Sequence, residues 1–395
     1  MRASLIGQRG NDETEFIMQI IDRYAVRLFF KVLLICWFSL TGLYWVIDAF
    51  NNLDEFMDHA DQTKSSVWVA LINYYSIRAL WFFDRSAGLL TLIAGVFALA
   101  WMKRSNELTA LMAAGIRPAR VIRPILTAAA FVSLVAVVNR EVIIPRFALA
   151  LTKKAQTLDD HQPQKFLIRY DGNDLSIEGK AAVPASGTIV EPVFGLPFAL
   201  RHFGRRISAK TAQYLDEDNR HKAGYWLREV ILPAKISKLR SAQIDEQHVI
   251  LTAKENDWLG EDECFVVSNV DFQELVAGAN MRRFLSTWEM VRFLYKRNSQ
   301  YSTDVRVAVH GRFVQPVLDL CLLLLGLPLV MSRQDRSIFL VAGHCMLVVC
   351  GFIIVVLACQ AMGTTGYLLS PAMAAWLPVF IFVPITTFVT QPLWE

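Results

Sequence analysis

Charged side chains inside long apolar stretches are the residues of this sequence most able to do chemistry. Five of them form a candidate path for a polar ligand or substrate: Asp84, Arg85, Arg140, Glu141 and Asp319. A charge near hydrocarbon costs free energy, so it either pairs with another charge or contacts a polar group of a ligand such as a lipid headgroup. For the first four residues both interpretations stay open. Asp319 stands beside Gln315 and Pro316 and is expected to face a bundle interior or a cavity.

A second candidate site is the short basic segment between two of these apolar stretches. Asn106 is a favoured N-cap residue for a helix, Gly115 is a natural left-handed stop, and Pro118 suits the first position of the next helix. We therefore expect a short, rigidly capped helix over about 106–115. Its candidate contact residues are Asn106, Glu107, Leu108, Leu111, Met112, Gly115 and Arg117.

Two interpretations of this short helix remain open. Leu108, Leu111 and Met112 are expected to form one apolar face, which suits a groove in a cytoplasmic partner. Alternatively the segment is a turn that lies on the membrane surface, with its basic residues facing anionic lipid.

Composition identifies the elements that must position these residues. Of 395 residues, 54% are hydrophobic and only 19% are charged, with a mean hydropathy of +0.35. These values exclude a disordered chain and argue against an ordinary soluble enzyme. A membrane helix needs about 20 mostly apolar residues. Six stretches qualify: 28–47, 79–102, 124–144, 313–331, 338–359 and 372–390.

Basic residues in the short loops predict the orientation of these helices. The first stretch is expected to be a retained helix and not a cleaved signal peptide. Lys and Arg are frequent in the N-terminal segment and in residues 103–123, whereas the loop after the first stretch is acidic, and Arg333 and Arg336 follow the fourth stretch. The positive-inside rule then places both termini in the cytoplasm and the large segment between stretches three and four outside.

That large segment has the composition of a globular domain. Short alternating runs separated by turn signals predict a β-sandwich or jelly roll, with no extended helix. The runs are 166–170, 175–178, 207–214, 225–232, 236–239, 248–253 and 265–270. Cys264 is its single cysteine, so no disulfide is expected within it. A Ser286–Glu289 capping box predicts a short amphipathic helix, either a plain connector or a gating element.

The predicted fold is thus a membrane protein of six transmembrane helices, three plus three, with an inserted β-jelly-roll-like domain. The boundaries are 1–145 for the N-terminal segment and helices one to three, 146–285 for the β domain, 286–312 for the connecting helix, and 313–395 for helices four to six.

The segment 106–115 resembles the characteristic loop of the lipopolysaccharide export permeases, the LptF/LptG (YjgP/YjgQ) family. The family pattern is close to N-E-L-T-A-L-R-A-A-G, and Met112 stands where the family commonly has Arg. The resemblance extends over nearly the whole chain, through IDRYAVRLFFKVLL, GRFVQPVLDLCLLLLGLPLVM and AMAAWLPVFIF. Glu141 and Pro145 resemble the family's Asn-Glu-x-x-x-Pro exit, although Asn139 is displaced by one place. The external domain matches least.

This resemblance implies a permease subunit of an ABC transporter in the inner membrane of a diderm bacterium. It implies that lipopolysaccharide is extracted from the membrane and passed to periplasmic jelly-roll domains. The implied partners are a cytoplasmic ABC ATPase dimer that contacts Glu107 and its neighbours, a second homologous permease, and a periplasmic or bitopic jelly-roll protein. The sequence has no G-x-x-x-x-G-K-[ST] motif, so ATP hydrolysis is expected in a partner.

Other functions are less well supported by the sequence. No catalytic or metal-binding motif such as H-E-x-x-H occurs, so neither an enzyme site nor a cofactor is expected. The basic residues form no long cluster, so nucleic acid is not expected as a partner. Two alternatives remain, a permease for another lipid or lipoprotein and a non-transporting envelope scaffold. Lipoprotein-release permeases carry the external domain after the first span, which disfavours that alternative.

Overall fold

The computed structural model describes most of the chain. The described residues are 2–64, 66–153, 162–166, 168–171, 173–218, 221–244, 247–295, 302–331, 338–365 and 369–394. Arg333 and Arg336, used above for orientation, lie outside these ranges. The chain divides into two compact units. One comprises Met1–Asp48, Arg78–Ile144 and Tyr301–Glu395, and the other comprises Ala49–Ile77 and Pro145–Gln300.

Long helices dominate the first unit, and shorter helices lie in both units. The helices are α1 Arg2–Asn51, α2 Leu53–Thr63, α3 Val67–Arg104, α4 Glu107–Ala113, α5 Pro118–Val138, α6 Ile144–Arg146, α7 Ala148–Thr152, α8 Phe272–Met281, α9 Thr287–Tyr295, α10 Ser302–Met331, α11 Ile338–Thr365 and α12 Pro371–Trp394. Within the described residues, six of these are long and apolar enough to cross a membrane: α1, α3, α5 with its extension to Arg146, α10, α11 and α12. The predicted three-plus-three arrangement is confirmed.

Helices α3, α5 and α10 are the most buried of the described membrane helices. About half of the apolar window of each is buried, compared with 11% for α1 and α11. Glycines permit the close approach, because a Cβ at Gly95 would come within 2.6 Å of a Leu323 methyl, and one at Gly326 would overlap Leu92. Small residues at helix contacts are typical of membrane bundles, where packing rather than hydrophobic burial drives association.

The second unit contains an antiparallel β-sheet between the third and fourth membrane helices. Its strands are β1 Arg169–Tyr170, β2 Ser176–Glu178, β3 Ala181–Val183, β4 Thr188–Val190, β5 Val193–Gly195, β6 Arg206–Leu215, β7 Gly224–Leu232, β8 Ala242–Ile244, β9 Gln247–Thr252 and β10 Cys264–Val267. The order is β1-β2-β5-β6-β7-β10-β9-β8, and β4 pairs with both β3 and β6. The inserted β domain is therefore confirmed.

One apolar core fills the inner side of this sheet. Phe194, Ile207 and Leu227 are fully buried in it, and Tyr225 donates a hydrogen bond from its hydroxyl to the Val270 carbonyl at 3.1 Å. A buried Tyr hydroxyl needs such a partner. Cys264 also lies in this core as a free thiol, and burial raises its pKa. The domain is thus held by packing.

Several local predictions for the domain were wrong. The run 236–239 is a 3₁₀ turn, Ile236–Lys238, because Lys235 adopts a left-handed backbone with φ of 65° and Ile236 alone turns inward. Helix α8 was not predicted, since its buried Phe272 and Leu275 keep a helical spacing for too few turns. The strands β3, β4, β5 and β8 were also missed.

The capping box before α9 is confirmed. The Ser286 hydroxyl accepts the Glu289 backbone N–H at 3.2 Å, and the Ser286 backbone N–H donates to a Glu289 carboxylate oxygen at 2.7 Å. This reciprocal pair fixes where α9 begins.

Candidate functional site: the α4 segment and an intramembrane charge cluster

The start of α4 differs from the prediction for Asn106. The helix begins directly after this residue, but the Asn106 side chain makes no cap hydrogen bond and its backbone is left-handed, with φ of 60°. Its N–H donates to the Lys103 carbonyl at 3.1 Å, so the residue closes the end of α3. An N-cap residue needs an extended backbone, and Asn also tolerates the left-handed region that ends helices. One residue cannot adopt both conformations.

The end of α4 follows the prediction. Gly115 has a φ of +83°, its N–H donates to the Met112 carbonyl, and the Ile116 N–H donates to the Leu111 carbonyl, both at 3.0 Å. These two bonds define a Schellman motif, which satisfies the last helical carbonyls. Arg117 is exposed and extended, and Pro118 occupies the first turn of α5. A defined break therefore separates α4 from the third membrane helix.

The two sides of α4 have different chemistry. Leu108 is 3% exposed and Leu111 is half-buried, and both pack into a core formed by α1, α3, α5 and α10. Met112 shares this helical face but is 38% exposed, so it lies at the edge between the packed side and the surface. The outward surface is formed by Thr109, Ala110, Met112, Ala113 and Ala114. Apart from Met112 its side chains are short, and none of them is charged.

One polar contact attaches α4 to α1, and two others join the membrane helices around it. The Tyr24 hydroxyl of α1 donates to a Glu107 carboxylate oxygen at 3.3 Å. The Lys103 ammonium group donates to the Val330 carbonyl of α10 at 3.2 Å. Asp22 of α1 and Arg120 of α5 form an ion pair at 2.9 Å. Each of these bonds is partly exposed and worth little alone. Helix α4 itself is held by the Tyr24–Glu107 bond and by the buried Leu108.

A second group of polar residues gathers where α5 ends. Residues Asn139–Ile143 form a π-helical turn, a feature frequent at functional sites. The Asn139 amide donates to the Leu80 carbonyl of α3 at 2.8 Å. The π turn begins at Asn139, the residue that is displaced by one place from the family pattern.

Arg140 and Glu141 contact a residue that the sequence analysis missed. The Glu141 carboxylate lies 3.6 Å from the Arg312 guanidinium of α10 and 3.9 Å from that of Arg140. Arg140 also donates to the Arg312 carbonyl at 3.2 Å. Arg312 precedes the predicted span 313–331 by one residue, so a search of span ends for charges could have identified it. Two guanidinium groups thus lie beside the Glu141 carboxylate, and the Asp84 carboxylate also interacts with both of them.

The remaining predicted residues occupy different places. Asp319 is 8% exposed, accepts a hydrogen bond from the Gln315 amide at 3.2 Å, and covers Gly88 of α3. Asp84 interacts electrostatically with both Arg140 and Arg312. Arg85 is exposed and makes no ion pair shown for the described residues. Its predicted cross-helix pairing is therefore not seen in the described part of the chain.

Among the described residues, no group of three or more His, Cys, Asp or Glu side chains could hold a metal ion. The fold and its polar sites define a multi-pass membrane protein with an inserted β domain and an ordered segment between its second and third membrane helices.

A family model described as "Lipopolysaccharide export system permease LptF/LptG" matches residues 23–391. The chain therefore belongs to the LptF/LptG family, and it is an inner-membrane permease of an ABC complex for lipopolysaccharide export, not an enzyme. A search among curated proteins gave no match.

Proposed function

We propose that α4 is the docking helix for a cytoplasmic ATPase dimer that supplies ATP hydrolysis to this permease. The observation that carries the proposal is the two-sided character of α4. Its inner side is anchored by Leu108, whereas its outer side is exposed, uncharged and made of small residues with Met112. Such a surface can enter a shallow groove closely, because small side chains let backbones approach. Asn106, Gly115 and Arg117 border this surface.

The attachment of α4 explains how a partner's movement would reach the membrane helices. Tyr24–Glu107 links α4 to α1, and Lys103–Val330 links the preceding turn to α10. Leu108 is packed against all of these helices and α5. A displacement of α4 would therefore act on α1, α5 and α10 together, because packed elements move as rigid bodies and do not deform.

The docking proposal is tested by placing a large charged side chain on the outer surface of α4. Ala113→Arg is expected to abolish recovery of the ATPase with the tagged permease, and Glu107→Arg is expected to do the same. Ala185→Arg, at an exposed alanine of the β domain, is the matched control and should leave recovery unchanged. Purified wild-type permease that carries no ATPase subunit at all would overturn the proposal.

The orientation and domain boundaries belong to the same proposal. We place both termini and α4 in the cytoplasm and the β domain, 146–285, in the periplasm, with 286–312 as the connecting element. The N-terminal portion 1–145 and the C-terminal portion 313–395 carry the membrane helices. Cysteine labelling in intact cells tests this directly, because Ser105→Cys should resist a membrane-impermeant reagent. Labelling of that cysteine from outside would refute the orientation.

The charge cluster of Arg140, Glu141 and Arg312, with Asp84 and Asp319 nearby, is our proposed contact for the polar groups of the lipid. Its two guanidinium groups are suited to phosphate, since they donate in a bidentate fork. Arg312→Gln is expected to reduce the lipopolysaccharide retained by the complex, measured by mass spectrometry in native lipid. Arg306→Gln, at an exposed arginine six residues earlier in the same helix and outside the cluster, is the control. Equal retention in both variants would mean that the cluster serves helix pairing only.

A second homologous permease and a periplasmic jelly-roll protein complete the proposed path, and the β domain receives the lipid. The apolar interior around Phe194 has the chemistry that acyl chains require. A photo-reactive amino acid at Phe194 should therefore form lipopolysaccharide adducts during ATP-driven transport. The same group at Lys210, whose exposed side chain pairs with Glu229 on the outer side, should not. Adducts at both positions, or at neither, would contradict passage through the interior.

A further inference from the structure

A recess of about 480 Å³ lies between the beginnings of the first and third membrane helices. Four arginines line it. Arg23 and Arg27 are one helical turn apart on α1, and Arg120 and Arg123 are one turn apart on α5, so each pair lies on one face of its helix. Two helices thus direct guanidinium groups towards the same space.

The charges around this recess do not balance. Asp22 is the carboxylate among the residues that line it, and it pairs with Arg120 at 2.9 Å. Four guanidinium groups therefore face one carboxylate. Like charges that line one recess repel each other, and an anion between them reduces that repulsion. The lining set favours an anionic ligand.

The wall of the recess also has an apolar part. Val26 and Pro124 line it, and Pro124 is buried. The Thr127 hydroxyl is already used, because it donates to the Pro124 carbonyl at 2.9 Å. The charged donors that line this wall are guanidinium groups, which bind phosphate oxygens in pairs.

We infer that this recess binds the phosphate group of an anionic lipid from the cytoplasmic leaflet. A lipid headgroup fits this recess better than a soluble ion does, because the arginines converge beside an apolar wall at the ends of two membrane helices. A basic recess between membrane helices contacts the headgroup and the upper acyl chain together. A lipid held there would join α1 to α5 beside the Asp22–Arg120 pair. The leaflet rests on the proposed orientation.

Native mass spectrometry of the full permease complex, released from detergent with added phosphatidylglycerol or phosphatidylcholine, tests the site. One equivalent of phosphatidylglycerol should be retained in preference to phosphatidylcholine. Arg23→Gln/Arg27→Gln should weaken that retention by about thirtyfold, the equivalent of about 2 kcal/mol for two charges at a membrane surface. Lys31→Gln/Arg104→Gln removes two exposed charges outside the recess and should change retention by less than about threefold.

Three results would overturn the inference. The first is equal retention of both lipids by the wild-type complex. The second is an equal loss in the two double variants, which would indicate diffuse attraction to the membrane. The third is binding of inorganic phosphate without retention of phosphatidylglycerol, which would identify a site for a free ion. Circular dichroism of each variant shows that it is folded. The Ser105→Cys labelling separates failure of this site from failure of the orientation, because labelling from outside would assign the recess to the other leaflet.

Discussion

Gly115 offers a direct test of whether the ordered end of α4 is required for ATPase docking. Its φ is +83°, and a Cβ added there would meet no atom within 4 Å. Gly115→Ala therefore introduces backbone strain without a steric clash. A left-handed backbone costs an L-residue about 1–2 kcal/mol. If docking requires the Schellman geometry, the variant must restore it on binding, and its affinity falls by about five- to thirtyfold.

The assay is the dissociation constant between the purified ATPase and the permease in lipid nanodiscs. Two further variants test whether backbone strain at position 115 is the cause of the weaker binding. Gly115→Asn should be affected less than Gly115→Ala, because Asn tolerates the left-handed region. Gly187→Ala carries the same kind of strain, with φ of +62° and no atom within 4 Å, but lies in the β3–β4 turn. It should bind the ATPase normally. Equal weakening by Gly187→Ala, or unchanged affinity of Gly115→Ala, would refute the reasoning.

Three other predictions follow from single contacts. Tyr24→Phe removes the hydrogen bond to Glu107 but keeps the aromatic ring. ATP hydrolysis should therefore persist, while the amount of lipid exported per ATP falls several-fold. An unchanged ratio of export to hydrolysis would contradict a role for this contact. Gly224→Ala would bring a Cβ against the Val266 carbonyl and should destabilise the β domain by about 1–3 kcal/mol in calorimetry, whereas an unchanged melting temperature would contradict that packing. Burial and neighbouring carboxylates raise the pKa of Tyr214 to about 12. Folding stability should therefore fall as the pH rises from about 10 to 12, and Tyr214→Phe should remove that loss. An identical pH profile of stability in the variant would contradict this prediction.

The membrane helices could be predicted because their signal is long and local. A stretch of about 20 apolar residues has few alternatives in a chain of this composition. The β domain was harder, since β1 to β5 contain only two or three residues each and cannot display an alternating period. Their positions depend on pairing with β6 and with one another, which is information that a short stretch of sequence does not contain.

The same difference between local signals and long-range contacts applies to the candidate sites. Gly115 and Pro118 were predicted correctly because turn and helix-start chemistry depends on the residue itself. The role of Asn106 was predicted wrongly, because its backbone takes the left-handed conformation that ends α3 and not the extended conformation that caps α4. Arg312 entered the charge cluster only through the packing of α10 against α5. Sequence reasoning therefore identified local geometry better than partners.

Met112 connects the departure from the family pattern with the proposed role of α4. The family commonly has Arg at this position, and here the side chain is exposed on the outer surface, not packed in the core with Leu108. The difference therefore changes what a partner would touch and leaves the anchoring side of the helix as it is. A flexible thioether adapts to an apolar surface, whereas a guanidinium requires an acceptor. The groove that receives this helix should accordingly be apolar where it meets Met112.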